Sequence, residues 1–291
     1  MRRGRPDGKH AGVTDWTAYY RKKKSRFSAY TQQITMKIIT GAVGRCCGKE
    51  EKNGLKILEL GGGRSCFAGQ VCRMQNVDAY DIADSNSLAV SLFNRMELDS
   101  RSHSGMKLDL LDRTAGSRLL HKYDFVFSVG LAEHFQGQDI ERIIRRHFDF
   151  CRPDGTVMVT FPTPTKKYRT VRRCMEILGV WQFHDETPLR YGDVRDIFEM
   201  NGTVMECFIN RRLPLTQMVV IAKTAGKEKK DAGQDQELRR AIDMVFAEAF
   251  FGNNFKVDAC FCGRKLQARN QEIHCLFYES ERHPGFCKLH D

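Results

Sequence analysis

The sequence predicts an α/β protein whose mostly parallel sheet is covered by helices on both faces, on three observations. Short apolar runs alternate with helix-period segments from Leu55 to Phe161. A glycine turn closes the first run, and an acidic residue follows the second. Two later runs, Thr203–Asn210 and Thr216–Ala222, are joined only by R-R-L-P-L, too short for a crossover, so they form an antiparallel hairpin. At 291 residues the chain holds one such domain plus an appendage.

In chain order, residues 1–30 carry nine Lys or Arg against Asp7 and Asp15, interleaved with Trp16, Tyr19, Tyr20, Phe27 and Tyr30. This mixture suits phosphate and stacking contacts, or an anionic membrane surface. The competing reading is a solvated basic face beside aromatics that pack on the sheet domain. Ile34, Ile38 and Ile39 place a core-facing helix over Thr31–Val43. Leu55, Ile57, Leu58 and Leu60 then form a buried strand stopped by Gly61, Gly62 and Gly63, with a helical segment over Cys66–Val71. Such a turn lets backbone N–H groups approach a ligand.

The second strand spans Val77–Tyr80, and Asp81 follows the glycines by about 20 residues, the spacing at which an acid reaches ribose hydroxyls. Ser85 is the expected cap of a helix with Leu88, Leu92, Phe93 and Met96 on one stripe. Ser100–Gly105 reads as a loop and Met106–Leu110 as the third strand, with Asp109 near its end. Phe125–Val129 is a central buried strand, and Gly130–His134 leaves its carboxyl end, where ligands of open parallel sheets bind.

A helix over Ile140–Phe150 stops at Pro153-Asp154-Gly155 before a fifth strand, Thr156–Phe161. A loop stiffened by Pro162 and Pro164 leads to a helix over Tyr168–Gly179 with Val171, Met175 and Leu178 as its buried stripe. The loop Gly179–Leu189 carries Trp181, His184, Asp185 and Glu186; the two acids are also placed to cap the next helix, Tyr191–Met200. Trp181 is either a sugar platform or a core plug.

Net charge is +11, more than half of it in the first 30 residues. No apolar run reaches the ~18 residues of a membrane span, and the basic start leads into no apolar signal core, so a cytoplasmic protein is expected. Seven of the eleven cysteines lie scattered before residue 225 and read as free thiols of a reducing compartment. Residues 227–236 form a polar linker, and a short helix carries Leu238, Ile242, Val245 and Ala249. The tail holds Cys260, Cys262, Cys275, Cys287, His274, His283 and His290, but lacks the paired C-x-x-C knuckles of a zinc site, so a loosely packed or disordered extension is expected.

Glu59 stands two residues before Gly61, and Cys66 occupies the third glycine position of a dinucleotide fingerprint. With the later signals in order, this resembles motif I of the class I S-adenosylmethionine-dependent methyltransferases. The resemblance implies a Rossmann-like class I methyltransferase fold: a seven-stranded, mostly parallel sheet with an antiparallel last strand and helices on both faces. It also implies S-adenosyl-L-methionine as cofactor, held by Glu59, Gly61, Gly62, Gly63, Asp81, Asp109 and Ser128. Tyr123–Phe135 resembles motif IV of the same family, whose substrate-facing loop often ends in Glu-His. For a hydroxyl acceptor, His134 is then the candidate base, with Glu133 beside it; the competing reading is that the pair only caps a helix.

W-T-x-Y-Y-x-K-K, from Trp16 to Lys23, resembles a methyltransferase group encoded with bacterial surface-polysaccharide enzymes, in which this segment acts as a lid. Tyr20, Tyr168 and Arg169 are the candidate acceptor contacts. The resulting expectation is transfer of a methyl group, without a metal, to a hydroxyl or amine, such as a sugar of a surface glycan or its precursor. The expected divisions are a lid segment at 1–43, a cofactor-binding domain at 44–225 and a Cys/His-containing extension at 226–291. Three competitors share parts of the pattern: an RNA or tRNA methyltransferase using the basic arm on nucleic acid, an NAD-binding oxidoreductase, and a non-enzymatic binding module with a degenerate pocket.

Overall fold

The computed structural model describes residues 14–21, 26–46, 54–74, 76–226, 265–268 and 271–274, with side chains for 14–21, 29–45, 54–74 and 76–226. The chain divides into two units, Met1–Glu228 and Lys229–Asp291. In the first, seven strands form one sheet: β1 (Leu55–Leu60), β2 (Val77–Asp84), β3 (Ser102–Lys107), β4 (Tyr123–Val129), β5 (Cys151–Pro162), β6 (Gly202–Asn210) and β7 (Gln217–Thr224). Their order is β3-β2-β1-β4-β5-β7-β6. β1 to β5 are mutually parallel, and β7 inserts antiparallel between β5 and β6, as the short R-R-L-P-L connection requires.

Alternation along the strands splits the core into two layers. Leu58 and Leu60 of β1 pack with Phe148 and Phe150 of α5 (Gln138–Phe150) and Phe198 of α7 (Tyr191–Asn201). Ile57, next to Leu58 on the strand, belongs to the opposite layer with Ile39 and Val43 of α2 (Arg26–Cys46) and Phe93 of α4 (Ser87–Asn94). Both faces of the sheet are thus covered, and the central parallel strands β1, β4 and β5 are buried along most of their length. Strand order reverses at β1/β4, opening a crevice at the carboxyl edge beside the glycine turn.

Several expectations change. β2 continues past Tyr80 to Asp84, and β3 occupies 102–107, so Ser100–Gly105 is mostly strand rather than loop. Its sequence S-H-S-G-M-K hides the strand because β3 is an edge, paired only with β2 and largely solvent-facing. Asn86, not Ser85, caps α4, its side chain accepting from Ala89 N at 3.0 Å. Asp185 and Glu186 do not cap α7; Asp193 accepts from Arg190 N there at 2.8 Å. In α6 (Lys166–Ile177), Tyr168 is the buried side chain, while Leu178 lies past the last turn and is 73% exposed. Cys66, Cys72, Cys151, Cys174 and Cys207 form no disulfide; Cys72 and Cys151 are buried, whereas Cys174 and Cys207 are exposed.

In the second unit, β8 (Lys265–Ala268) and β9 (Gln271–His274) pair as an antiparallel hairpin, which the sequence reading did not anticipate. The expected helix around Leu238–Ala249, the linker 227–236 and Cys260, Cys262, Cys275, Cys287, His283 and His290 lie outside the described residues, as does most of the basic arm. Among the described residues no helix is long and apolar enough to cross a membrane.

Candidate active site

The turn after β1 is shaped by two left-handed glycines, Gly61 at φ +63° and Gly63 at φ +57°. Ser65 also has a positive φ; its hydroxyl accepts from Phe67 N and Ala68 N, which holds the entry to the short helix α3 (Ala68–Val71). Asp84, at the end of β2, locks the turn to the neighbouring strand. One carboxylate oxygen accepts from Gly63 N at 2.8 Å and the other from Asn86 N at 2.7 Å. Burial raises the Asp84 carboxyl, and hydrogen bonds from Asn86, Gly63 and Tyr20 oppose that rise. Glu59, buried below the turn, accepts from Tyr80 Oη at 2.7 Å.

Strand register explains why Asp84 and not Asp81 meets the glycines. Leu60 pairs with Ala83, so the residue alongside the turn is Asp84, whereas Asp81 pairs with Leu58. Three residues of extended chain, about 10 Å, separate the two acids. Asp81 instead accepts from Tyr123 Oη at 2.8 Å. Apolar patterning ends the strand at Tyr80; only pairing with β1 and β3 extends it to Asp84.

A cavity of about 610 Å³ opens over this edge, within the usual range for small-molecule sites. Of the sequence candidates, Glu59, Gly61, Gly62, Asp109, Tyr20, Glu133, His134 and Tyr168 line it. Gly63 lies under Tyr20; a Cβ there would come within 2.3 Å of the ring. Asp109 is exposed and also accepts from Leu111 N at 2.9 Å, so it caps a turn at the cavity rim. Asp81, Ser128 and Arg169 do not line the cavity. Ser128 is fully buried against His147 Nε2 at 2.9 Å, and Arg169 is exposed.

Helix α1 (Trp16–Arg21) ties the two sides of the cavity together. Thr17 accepts from the Asn86 side chain at 3.0 Å on the glycine-turn side. On the other side, Trp16 meets His134 edge-on at 4.9 Å between ring centres, and Thr14 donates to Asp185. His134 Nδ1–H donates to Asp185 Oδ1 at 3.0 Å. Burial lowers the imidazole pKa, partly opposed by Asp185. For Asp185, hydrogen bonds from Thr14 and attraction to His134 outweigh burial, leaving the carboxyl below its ordinary value.

Glu133 is 2% exposed, and its Oε2 has no hydrogen-bond partner among the described residues. Burial, then the charges of Glu186 and Asp185, push its carboxyl well above the usual range. Glu186 accepts from Tyr168 Oη; Arg172 donates to Tyr168 Oη at 3.1 Å and to the Glu186 carbonyl at 3.0 Å. The Arg172 guanidinium also lies 4.8 Å over Trp181, which is buried in the cavity wall. Arg172 therefore takes the inward position expected of Arg169: residues 168 and 172 share a helix face, and 169 does not. Asp185 and Glu186 carry a polar sequence signal, but no local pattern ties them to His134, more than 50 residues earlier.

The strand order and single antiparallel insertion are those of the Rossmann-like class I methyltransferases, and this is the fold of the chain. No family model matches the sequence, and no curated protein does. Among solved structures, magnesium protoporphyrin IX methyltransferase from Synechocystis PCC 6803, with bound SAH, superposes with a TM-score of 0.53 at 13% identity, over 72% of this chain and 93% of that one. The CurJ carbon methyltransferase also gives 0.53, at 17% identity over 72% of this chain and 58% of that one. The methyltransferase domain of bacterial CtHen1 gives 0.50 at 14% identity, over 66% and 98%.

Proposed function

We propose that this chain is an S-adenosylmethionine-dependent methyltransferase acting on a hydroxyl or amine of a small molecule or glycan unit. The observation that carries the reading is a single cavity lined at one end by Glu59, the glycine turn and Asp84, and at the other by His134 and Glu133. The cofactor fits the first end on its own chemistry. Gly61 and Gly62 bring the turn backbone to the cavity wall without side chains, and Asp84 and Glu59 are acceptors suited to ribose hydroxyls and to an ammonium. When bound, the cofactor supplies a sulfonium methyl carbon, whose C–S bond breaks as the acceptor O or N bonds to it, leaving a neutral thioether.

The protein's part is alignment and proton removal. Asp185 holds His134 with Nδ1 protonated, so Nε2 keeps its lone pair for the acceptor proton. Trp16, Trp181 and Phe183 give the acceptor end flat apolar walls on which a sugar ring or other planar group stacks. Glu59, Asp84, Asp109, Glu133 and Glu186 line the cavity against a single arginine, Arg64, among the described residues. That balance favours a reacting group that is neutral or cationic over a phosphate. A sugar hydroxyl of a surface-glycan precursor is the acceptor we favour; the nine Lys and Arg of residues 1–30 suit its charged remainder or a membrane surface.

Calorimetric titration with S-adenosylhomocysteine, followed by screening methyl transfer onto nucleotide sugars, glycans, amines and RNA, tests the reading. One binding site per chain and turnover on a hydroxyl or amine are expected. Failure to bind the cofactor product removes the assignment; turnover confined to RNA removes the small-acceptor preference.

A further inference from the structure

Three side chains in the acceptor end have no joint role in the scheme above: Glu133, His134 and Glu186. One potential ligand atom from each lies within 4.8 Å of the others. Opposite ligands of a bound divalent ion stand about 4.2 Å apart at bond lengths near 2.1 Å, so a small side-chain rotation closes the set.

Acidic neighbours alone do not make a metal site; the state of Glu133 supplies the independent observation. It is 2% exposed, it lines the cavity, and its Oε2 has no partner among the described residues. A buried carboxylate oxygen left unpaired costs about 1–3 kcal/mol or more, and native structures rarely tolerate one without a ligand or a proton. It stands, moreover, beside a second carboxylate that no described cation other than Arg172 approaches.

The surroundings are arranged as an outer shell. Asp185 accepts from His134 Nδ1–H, the bond that in metal sites fixes the ring and presents Nε2 to the ion. Tyr168 and Arg172 hold the Glu186 side chain and its backbone, leaving that carboxylate oriented toward the cavity wall it shares with Glu133. Trp16 and Phe183 pack against the imidazole and keep it from swinging away.

We infer that Glu133, His134 and Glu186 form a divalent-cation site facing the acceptor, with water or an acceptor oxygen completing the coordination. Two carboxylates with one imidazole suit Mn²⁺ or a similar first-row divalent ion, and thiolates play no part. This departs from the metal-free scheme expected from sequence. Its consequence for catalysis rests on the methyl-transfer reading: an acceptor hydroxyl bound to the ion gives up its proton more readily. The site itself does not depend on that reading.

The test is Mn²⁺ titration of the chelator-treated full chain, followed by electron paramagnetic resonance; Mn²⁺ avoids the thiolates of the tail. One tightly held ion per chain is expected, with binding lost in Glu133→Gln and in Glu186→Gln. Asp185→Asn should weaken it by about 10–100-fold, and nitrogen modulation of the spin echo should vanish in His134→Gln. Thermal unfolding in chelator checks each variant's fold, and Glu186→Gln carries the test if Glu133→Gln does not fold. No bound Mn²⁺, or equal binding by the native chain and both glutamine variants, overturns the site. S-adenosylhomocysteine binding in chelator is read separately: retained binding without Mn²⁺ sinks the metal alone, and lost binding with Mn²⁺ retained sinks the methyl-transfer reading alone.

Discussion

The two ends of the cavity are built differently. The glycine-turn end is assembled from adjacent strand termini: Glu59 and Gly61–Gly63 leave β1, and Asp84 closes β2 one strand away. Its polar contacts are mostly backbone N–H groups received by a carboxylate, so its geometry follows from strand pairing. The acceptor end is assembled from segments 51 to 171 residues apart: the Asp185 carboxylate gathers Thr14, through its backbone N–H and hydroxyl, and the His134 ring. The first end is set by regular secondary structure and the second by loop packing, which is where binding chemistry varies between proteins of one fold.

The largest break in this contrast should come from His134→Gln. Loss of a positioned proton acceptor or ligand at the acceptor end is expected to lower kcat by about 10²–10⁴-fold, with S-adenosylhomocysteine affinity unchanged. A matching loss of affinity would mean that the two ends are not independent. Next in size, Asp84→Asn should weaken that affinity by about 10–100-fold, the loss of one or two charge-assisted hydrogen bonds, whereas Asp81→Asn should leave it unaltered. The reverse result in calorimetry would return Asp81 to the site and overturn the register argument.

A smaller effect sharpens the comparison from outside the cavity. His147 is fully buried, with Nδ1–H donating to Ile143 O at 2.9 Å and Nε2 accepting from Ser128 Oγ, and burial lowers its pKa from 6.5 to about 4. Between those values the unfolded chain binds the proton that the folded chain refuses, so stability rises with pH through that window and is complete above it. Acidification from above pH 6.5 to below 4 should therefore cost about 3 kcal/mol through this residue. His147→Gln should flatten the dependence of unfolding free energy on pH over that range. An unchanged slope would show that His147 is not held neutral.

The same physics decides what could be read in advance. Buried parallel strands are apolar on both faces, so β1, β4 and β5 stand out in the sequence, as does the glycine turn at the point where the chain must adopt φ > 0. β3 is a polar edge, so the apolar run places the third strand at Met106–Leu110 instead of Ser102–Lys107; the second run ends the strand before Asp84, which shifts the expected ribose-facing acid to Asp81. Ser128 and Arg169 sit at the right heights in the chain but turn away from the cavity, because strand alternation and helix phase, not position in a motif, decide where a side chain points.

The amino-acid sequence alone determined the layered α/β architecture, the glycine turn and the Glu133-His134 loop, because each depends on local periodicity and backbone freedom. Tertiary structure alone decided that Asp84 closes the turn, that Asp185 orients His134 and that Glu186 approaches Glu133. Those pairings join residues distant in the chain, and no local propensity encodes them; they exist only once strand register and loop packing have placed one surface against another.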